Sequence, residues 1–199
     1  MKVLSLLSSG IDSPVASYLV GKKFTVYAIH FKTSDKSLRQ VKKLCKKVKI
    51  KKLYVIDHLK ILKKITENCN SKYTCVICKR MMYKIGEQLA NKHDYKYLVT
   101  GENLAQVASQ TLDNMATINS AVKITVLRPL LCYDKQEIVD LAKRIGTYDI
   151  SIKDTIKCFA VPKHPVTTSK VNVIEQEEEK INVGEMIKES IKSMKIISF

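Results

Sequence analysis

Residues 8–14 read Ser-Ser-Gly-Ile-Asp-Ser-Pro. An apolar run precedes them and an apolar-periodic segment follows. A strand, a tight polar loop and a helix start are what an anion site needs. The first N–H groups of a helix lack intrahelical partners and carry the positive end of its dipole. Gly10 lets backbone approach a phosphate, and the hydroxyls of Ser8 and Ser13 add donors. Pro14 suits a first helical turn, where its missing N–H costs little. An ordinary strand-to-helix turn, capped by Ser8 or Ser13, would use the same residues. The second chemical group is sulfur. Cys75-Val-Ile-Cys78 opens a long helical pattern, and Cys158 follows far downstream in a Pro-rich stretch. A lone C-x-x-C is weak; a third thiol near the same rim strengthens it.

The elements that must position these groups alternate in kind. Strands are expected at 2–7, 24–31, 53–57, 95–100 and 124–127. Helices are expected at 13–23, 35–48, 58–68, from about 75 to 93, 104–121 and 134–145. The 35–48 helix has Leu38, Val41, Leu44, Cys45 and Val48 on one stripe and lysines opposite. Asp134 and Glu137 form a capping box, and Gly146 closes that helix. Residues 175–198 read as an amphipathic closing helix, interrupted near 183–184. Such alternation predicts an α/β fold, a doubly wound, mostly parallel five-stranded sheet with helices on both faces and a C-terminal helix. We divide it at 1–165 and 166–199. Folds of this kind bind ligands beyond the strand C-termini. There lie residues 8–13, His30 and Phe31, Gly101 and Glu102, and Arg128.

Composition narrows the partners. The 199-residue chain carries 35 Lys and Arg against 19 acidic residues, a net +16. Residues 36–52 hold nine Lys or Arg and no acid. A single-sign block attracts polyanions, nucleic acid above all. No apolar run approaches membrane-span length, and the N-terminal apolar run is too short for a signal peptide. A cytoplasmic location is expected, so the six cysteines are not a disulfide framework. Cys45, Cys69 and Cys132 are expected as small buried hydrophobes.

The chain has neither G-x-x-x-x-G-K-[ST] nor G-x-G-x-x-G. Its first loop instead resembles the S-G-G-x-D-S loop of the PP-loop ATP pyrophosphatases, with Ser9 in place of a glycine. Beyond that loop, residues 75–82 (CVICKRMM), 99–111 (VTGENLAQVASQT), 127–130 (LRPL), 133–135 (YDK), 144–148 (RIGTY) and 160–165 (AVPKHP) are similar to the ThiI family of ATP-dependent tRNA sulfurtransferases. The resemblance covers about residues 2–175. It implies ATP-dependent adenylation of O4 of a tRNA uridine, at position eight in the family, then displacement of AMP by sulfur to give 4-thiouridine. Asp12 would hold Mg²⁺ or orient the reacting oxygen. Leu6, Leu7, His30, Phe31, Arg80, Gly101 and Gln110 would line the ATP site, with Phe31 stacking on adenine and backbone groups of Leu6 and Leu7 reading its edge. Arg80 and Lys135 would face phosphate charge.

By the same resemblance, Cys158 takes part in persulfide transfer, with Lys157 and Lys163 favouring its thiolate. Cys75 and Cys78 could resolve a persulfide on Cys158. They could bind zinc, a histidine completing the set. With Cys158 they could hold a [4Fe–4S] cluster with one open iron. They could also be helix-start residues without a partner. The sulfur donor would be a persulfide protein or hydrosulfide. Without the family's THUMP and rhodanese domains, tRNA would be gripped by the basic surface, a homodimer or a separate THUMP-domain protein. Alternatives are a PP-loop enzyme thiolating another RNA or a thiamine-pathway small molecule, and a non-catalytic, nucleotide-dependent tRNA-binding module.

Overall fold

The computed structural model describes residues 1–104, 106–153 and 158–199. β-Branched and aromatic runs build β1 (Lys2–Leu6), β2 (Thr25–Lys32), β3 (Lys52–Asp57), β4 (Tyr97–Val99) and β5 (Val126–Leu127). They form the expected parallel array, in the order β5-β4-β1-β2-β3. The chain runs outward from β1 to β3, then crosses back so that β4 pairs with the other side of β1. The winding direction therefore reverses between β1 and β4, where such folds open a crevice beyond the strand ends.

Helices cover both faces. On one side α1 (Asp12–Gly21), α2 (Asp35–Lys47) and α6 (Lys135–Arg144) bury Val15, Ala16, Val41, Cys45, Ile138 and Ala142 against the sheet, and α7 (Tyr148–Ile152) extends that layer. On the other, α3 (His58–Asn68), α4 (Thr74–His93), α5 (Leu112–Asn119), α8 (Val171–Glu179) and α9 (Val183–Lys192) bury Ile61, Ile65, Ile77, Met81, Ile118, Ile174 and Met186. The amphipathic spacing of α2 and the Asp134–Glu137 capping box on α6 are present as expected. Gly146 takes φ +69 at the end of α6, a left-handed conformation that costs glycine little.

Two stretches differ from the sequence expectation. The closing helix is two helices followed by β6 (Lys195–Ser198), which pairs antiparallel with β3. Asn182 caps α9 through Glu185 N–H at 3.1 Å. Beyond α9 the Ile-Ile pair covers what would be an open sheet edge, so the sheet has six strands. The 104–121 helix is replaced in its first half by a loop and a 3₁₀ turn at Ala108–Gln110. There the backbone is bound elsewhere: Leu104 N–H donates to Leu131 O at 3.1 Å, and the Asn103 amide donates to Leu130 O and Tyr133 O. Thr111 then caps α5. Among the described residues no helix is long and apolar enough to cross a membrane.

Candidate active site

The loop between β1 and α1 is closed by its own serines. Ser13 Oγ accepts from Ser8 N–H at 2.9 Å and lies 3.0 Å from Ser8 Oγ, which accepts from Gly10 N–H at 3.2 Å. Ser17 Oγ donates to Ser13 O at 2.8 Å and lies 2.7 Å from the buried Ser5 Oγ, joining the first turns of α1 to β1. From outside, Ser151 Oγ of α7 donates to Gly10 O at 3.2 Å. Gly101 is the tightest neighbour. A Cβ there would stand 2.5 Å from Ser13 N, so only glycine lets the end of β4 press against the start of α1.

Over this loop, two charges far apart in sequence meet. Lys135 Nζ, at the start of α6, lies 2.7 Å from Asp12 Oδ1. The pair is open, with side chains 52% and 26% exposed. Lys135 also donates to Gln106 Oε1 at 3.4 Å. A second carboxylate on the rim is the opposite case. Glu102 is buried and accepts from Lys79 Nζ (2.9 Å), Tyr83 OH (2.6 Å) and Arg128 Nε (3.0 Å). Burial pushes its pKa up, but Lys79, Tyr83 and Arg128 outweigh it and hold the carboxyl below its usual range. Glu102 pins β4, β5 and α4 together beneath the crevice.

Two of the sulfur groups lie at the start of α4. Cys75 and Cys78 are half-buried in the first turns of α4, and Cys158 is exposed. Burial pushes Cys78 up to about 12, with the neighbouring Cys158 and Cys75 adding to it. Cys75 is raised by burial and then by Cys158. Cys75 and Cys78 thus both feel the charge of Cys158. Cys78 Sγ lies 3.1 Å from His58 Nε2, and burial drives that histidine to about 4. Among the described residues, however, no three His, Cys, Asp or Glu side chains converge into a metal-ligand set. Lys157, expected to help ionise Cys158, lies outside the described residues.

The family model described as "Thiamine biosynthesis protein (ThiI)" matches residues 1–183. The chain belongs to the ThiI family. ThiI relatives include proteins named "Probable tRNA sulfurtransferase" from Finegoldia magna, 38% identical over 98% of this chain and 52% of that protein, and from Methanocaldococcus jannaschii, 40% identical over 92% of this chain and 50% of that protein. The chain thus spans about half the length of the curated relatives it matches. The crystal structure of a 4-thiouridine synthetase–RNA complex with bound ATP superposes with a TM-score of 0.94 at 33% identity, over 98% of this chain and 54% of that one.

Once side chains are placed, the ThiI-type candidates divide between the core and the crevice. Arg80 does not face the crevice. It is 1% exposed, its guanidinium engages both oxygens of Glu178 at 2.9 and 3.0 Å, and it donates to Thr117 O and Ser120 Oγ. Its donors are engaged between α4, α5 and α8, where it ties the three helices together. The neighbouring Lys79 is the α4 cation that reaches the rim. Both backbone groups of Leu7 already have a partner in the fold. Its N–H donates to Ile29 O at 2.9 Å, and its carbonyl is bound by His30 Nδ1 at 2.9 Å. His30 is itself buried, lies 3.3 Å from Ser37 Oγ through Nε2, and is driven by burial to about 4. It positions the loop entrance as a neutral ring. Phe31 is 7% exposed and packs against His58 in a T-shaped contact, ring centroids 5.4 Å apart. Leu6 is buried beneath the crevice. Gln110 ends the 3₁₀ turn with its Oε1 buried and unpartnered. Cys45 and Cys69 are buried as expected, whereas Cys132 is exposed beside Tyr133 and Lys135. The apolar run before Cys132 hides this, because the run ends on the rim instead of continuing into the core.

Proposed function

We propose that this chain carries out the nucleotide chemistry of a cytoplasmic tRNA sulfurtransferase: ATP-dependent conversion of a tRNA uridine, at position eight by family resemblance, to 4-thiouridine. The observation that carries the reading is the Asp12–Lys135 pair, held 2.7 Å apart over the serine-closed loop in a chain superposable on an ATP-bound, RNA-bound 4-thiouridine synthetase. In this reading residues 1–165 activate the base, and residues 166–199 brace α4 and the sheet edge.

The loop N–H groups, with Ser8, Gly10 and Ser13, receive phosphate oxygens at the start of α1. Lys135 neutralises charge that develops as the α–β bridge breaks, in a site whose donors are already in place. Asp12 fits Mg²⁺, a hard ion bound through one or two carboxylates plus substrate phosphates; when bound, the ion would polarise the α-phosphate. Uracil O4 forms a bond to the α-phosphorus, pyrophosphate departs, and the N3 proton leaves the ring. A persulfide on Cys158, loaded by a separate donor, adds its outer sulfur to C4 while AMP leaves. Cys75 then attacks the Cys158 sulfur. A Cys75–Cys158 disulfide forms, the Cys75 thiol proton passes to N3 as C4 keeps its sulfur as a thiocarbonyl, and a thiol reductant restores both cysteines. Burial keeps Cys75 and Cys78 protonated at rest, which limits oxidation between turnovers.

RNA would be held by the basic face of α2. A groove of about 820 Å³ between α2, α7 and β6 is lined by Arg39, Lys42, Lys43, Lys46 and Lys153. The test is pyrophosphate release on adding ATP and unmodified tRNA, followed by assay of the tRNA for 4-thiouridine. Release that depends on tRNA supports the enzyme. No release in its presence sinks the reading.

A further inference from the structure

A second concavity, of about 460 Å³, opens beside the Asp12–Lys135 pair and shares Lys135 as its wall. The size suits a small planar group. Leu104 and Leu131 form apolar sides, Tyr133 is 37% exposed, and Cys132 is exposed. The walls are held in place, because Leu104 N–H is bonded to Leu131 O at 3.1 Å and Asn103 ties down Leu130 O and Tyr133 O. One polar group in this lining is unfinished. Gln106 Oε1 accepts from Lys135, while Gln106 Nε2 is buried with no hydrogen-bond partner. A buried donor without an acceptor is uncommon and calls for a missing partner.

We infer that this concavity receives the target base, a pyrimidine with a carbonyl at C4 turned out of the RNA, and that Gln106 reads its edge. The inference rests on the adenylation reading above. Extruded bases are held between apolar or aromatic side chains and read along their Watson–Crick edge; Leu104, Leu131 and Tyr133 supply the former and Gln106 the latter. Lys135 fixes which end of the carboxamide is oxygen. Nε2–H then donates to uracil O4, and the second lone pair of Oε1 accepts from N3–H. Cytosine in the same pose sets its N4 amine against Nε2–H and its bare N3 against Oε1, two repulsive contacts. The pose also places O4 beside Lys135 and the loop that holds the phosphates. The pocket thus contributes selection of the base as well as space for it.

The experiment has two arms on the full chain, with a tRNA acceptor-stem RNA carrying the target uridine and its counterpart with cytidine there. In the first, tRNA-dependent pyrophosphate release is compared for wild type and Gln106→Leu. A good bidentate base contact is worth about 1–3 kcal/mol, so the variant should lose about 5- to 150-fold in kcat/KM for the uridine RNA. In the second, the rate of Cys132 alkylation by iodoacetamide is followed with ATP present. The uridine RNA should slow it and the cytidine RNA should not. Equal alkylation with both RNAs, or a Gln106→Leu variant as fast as wild type, overturns the inference. If no pyrophosphate is released at all, the adenylation reading fails by itself, and the alkylation arm still decides the pocket.

Discussion

Two ion pairs in this protein have the same chemistry and opposite uses. Arg80–Glu178 is sealed between α4, α5 and α8, with side chains 1% and 6% exposed. Lys135–Asp12 stands open over the loop at the sheet's reversal point. Arg80 and Lys135 are both expected from sequence to face phosphate charge, yet only Lys135 stands open to the crevice. In the buried pair every guanidinium contact is with protein, and removing one member would strand a charge in the core. In the open pair water and substrate can replace either partner, so the pair costs little to separate and its charges remain usable. Burial separates structure from chemistry here more sharply than charge does.

The largest effect should come from the open pair. Asp12→Asn and Lys135→Met should each cut tRNA-dependent pyrophosphate release by about 10²–10³-fold, the loss typical of one preorganised charge-stabilising group, while thermal unfolding stays near wild type. The comparison breaks if Lys135→Met melts early. Arg80→Met should do the reverse. It should lose about 3–5 kcal/mol of stability, read from denaturant unfolding, because Glu178 is left buried and unpaired. A variant of normal stability that fails only with ATP would restore Arg80 to the site.

Acid should strike the buried side first. His30 and His58 are driven by burial to about 4, below their ordinary 6.5. Between those values the unfolded chain binds more protons than the folded one, so stability is complete above pH 6.5 and is lost as pH falls toward 4. Each histidine accounts for up to about 3 kcal/mol. His30→Asn should flatten that slope in an unfolding-versus-pH series; an unchanged slope would mean His30 is not held neutral. Glu178 and Glu102, both depressed although burial opposes it, contribute stability present above ordinary carboxylate pKa values and lost below them. Arg80→Met should remove the Glu178 share of that lower limb. The smallest effect belongs to the exposed lysines. Charge reversal at Lys42, Lys43, Lys46 and Lys47 should leave stability alone, weaken RNA binding and lower its salt slope by about one per lost phosphate contact. RNA binding that does not change would remove α2 from the interface.

Residue type and period alone determined much of this protein. Apolar spacing placed the five parallel strands and most helices. Glycine and serine after β1 marked the loop, and Asp134 with Glu137 marked the start of α6, because caps and strand ends depend on near neighbours in the chain. Tertiary structure decided what depends on direction and distance. Arg80 and Lys79 are adjacent in sequence, but consecutive helix positions point about 100° apart, so one enters the core and the other the rim. Cys132 follows an apolar run yet surfaces, and residues 195–198 form a strand only because β3 offers an unpaired edge. The Asp12–Lys135 pair spans 123 positions; their types invited the contact, and only the sheet's reversal between β1 and β4 set the two charges in reach of each other.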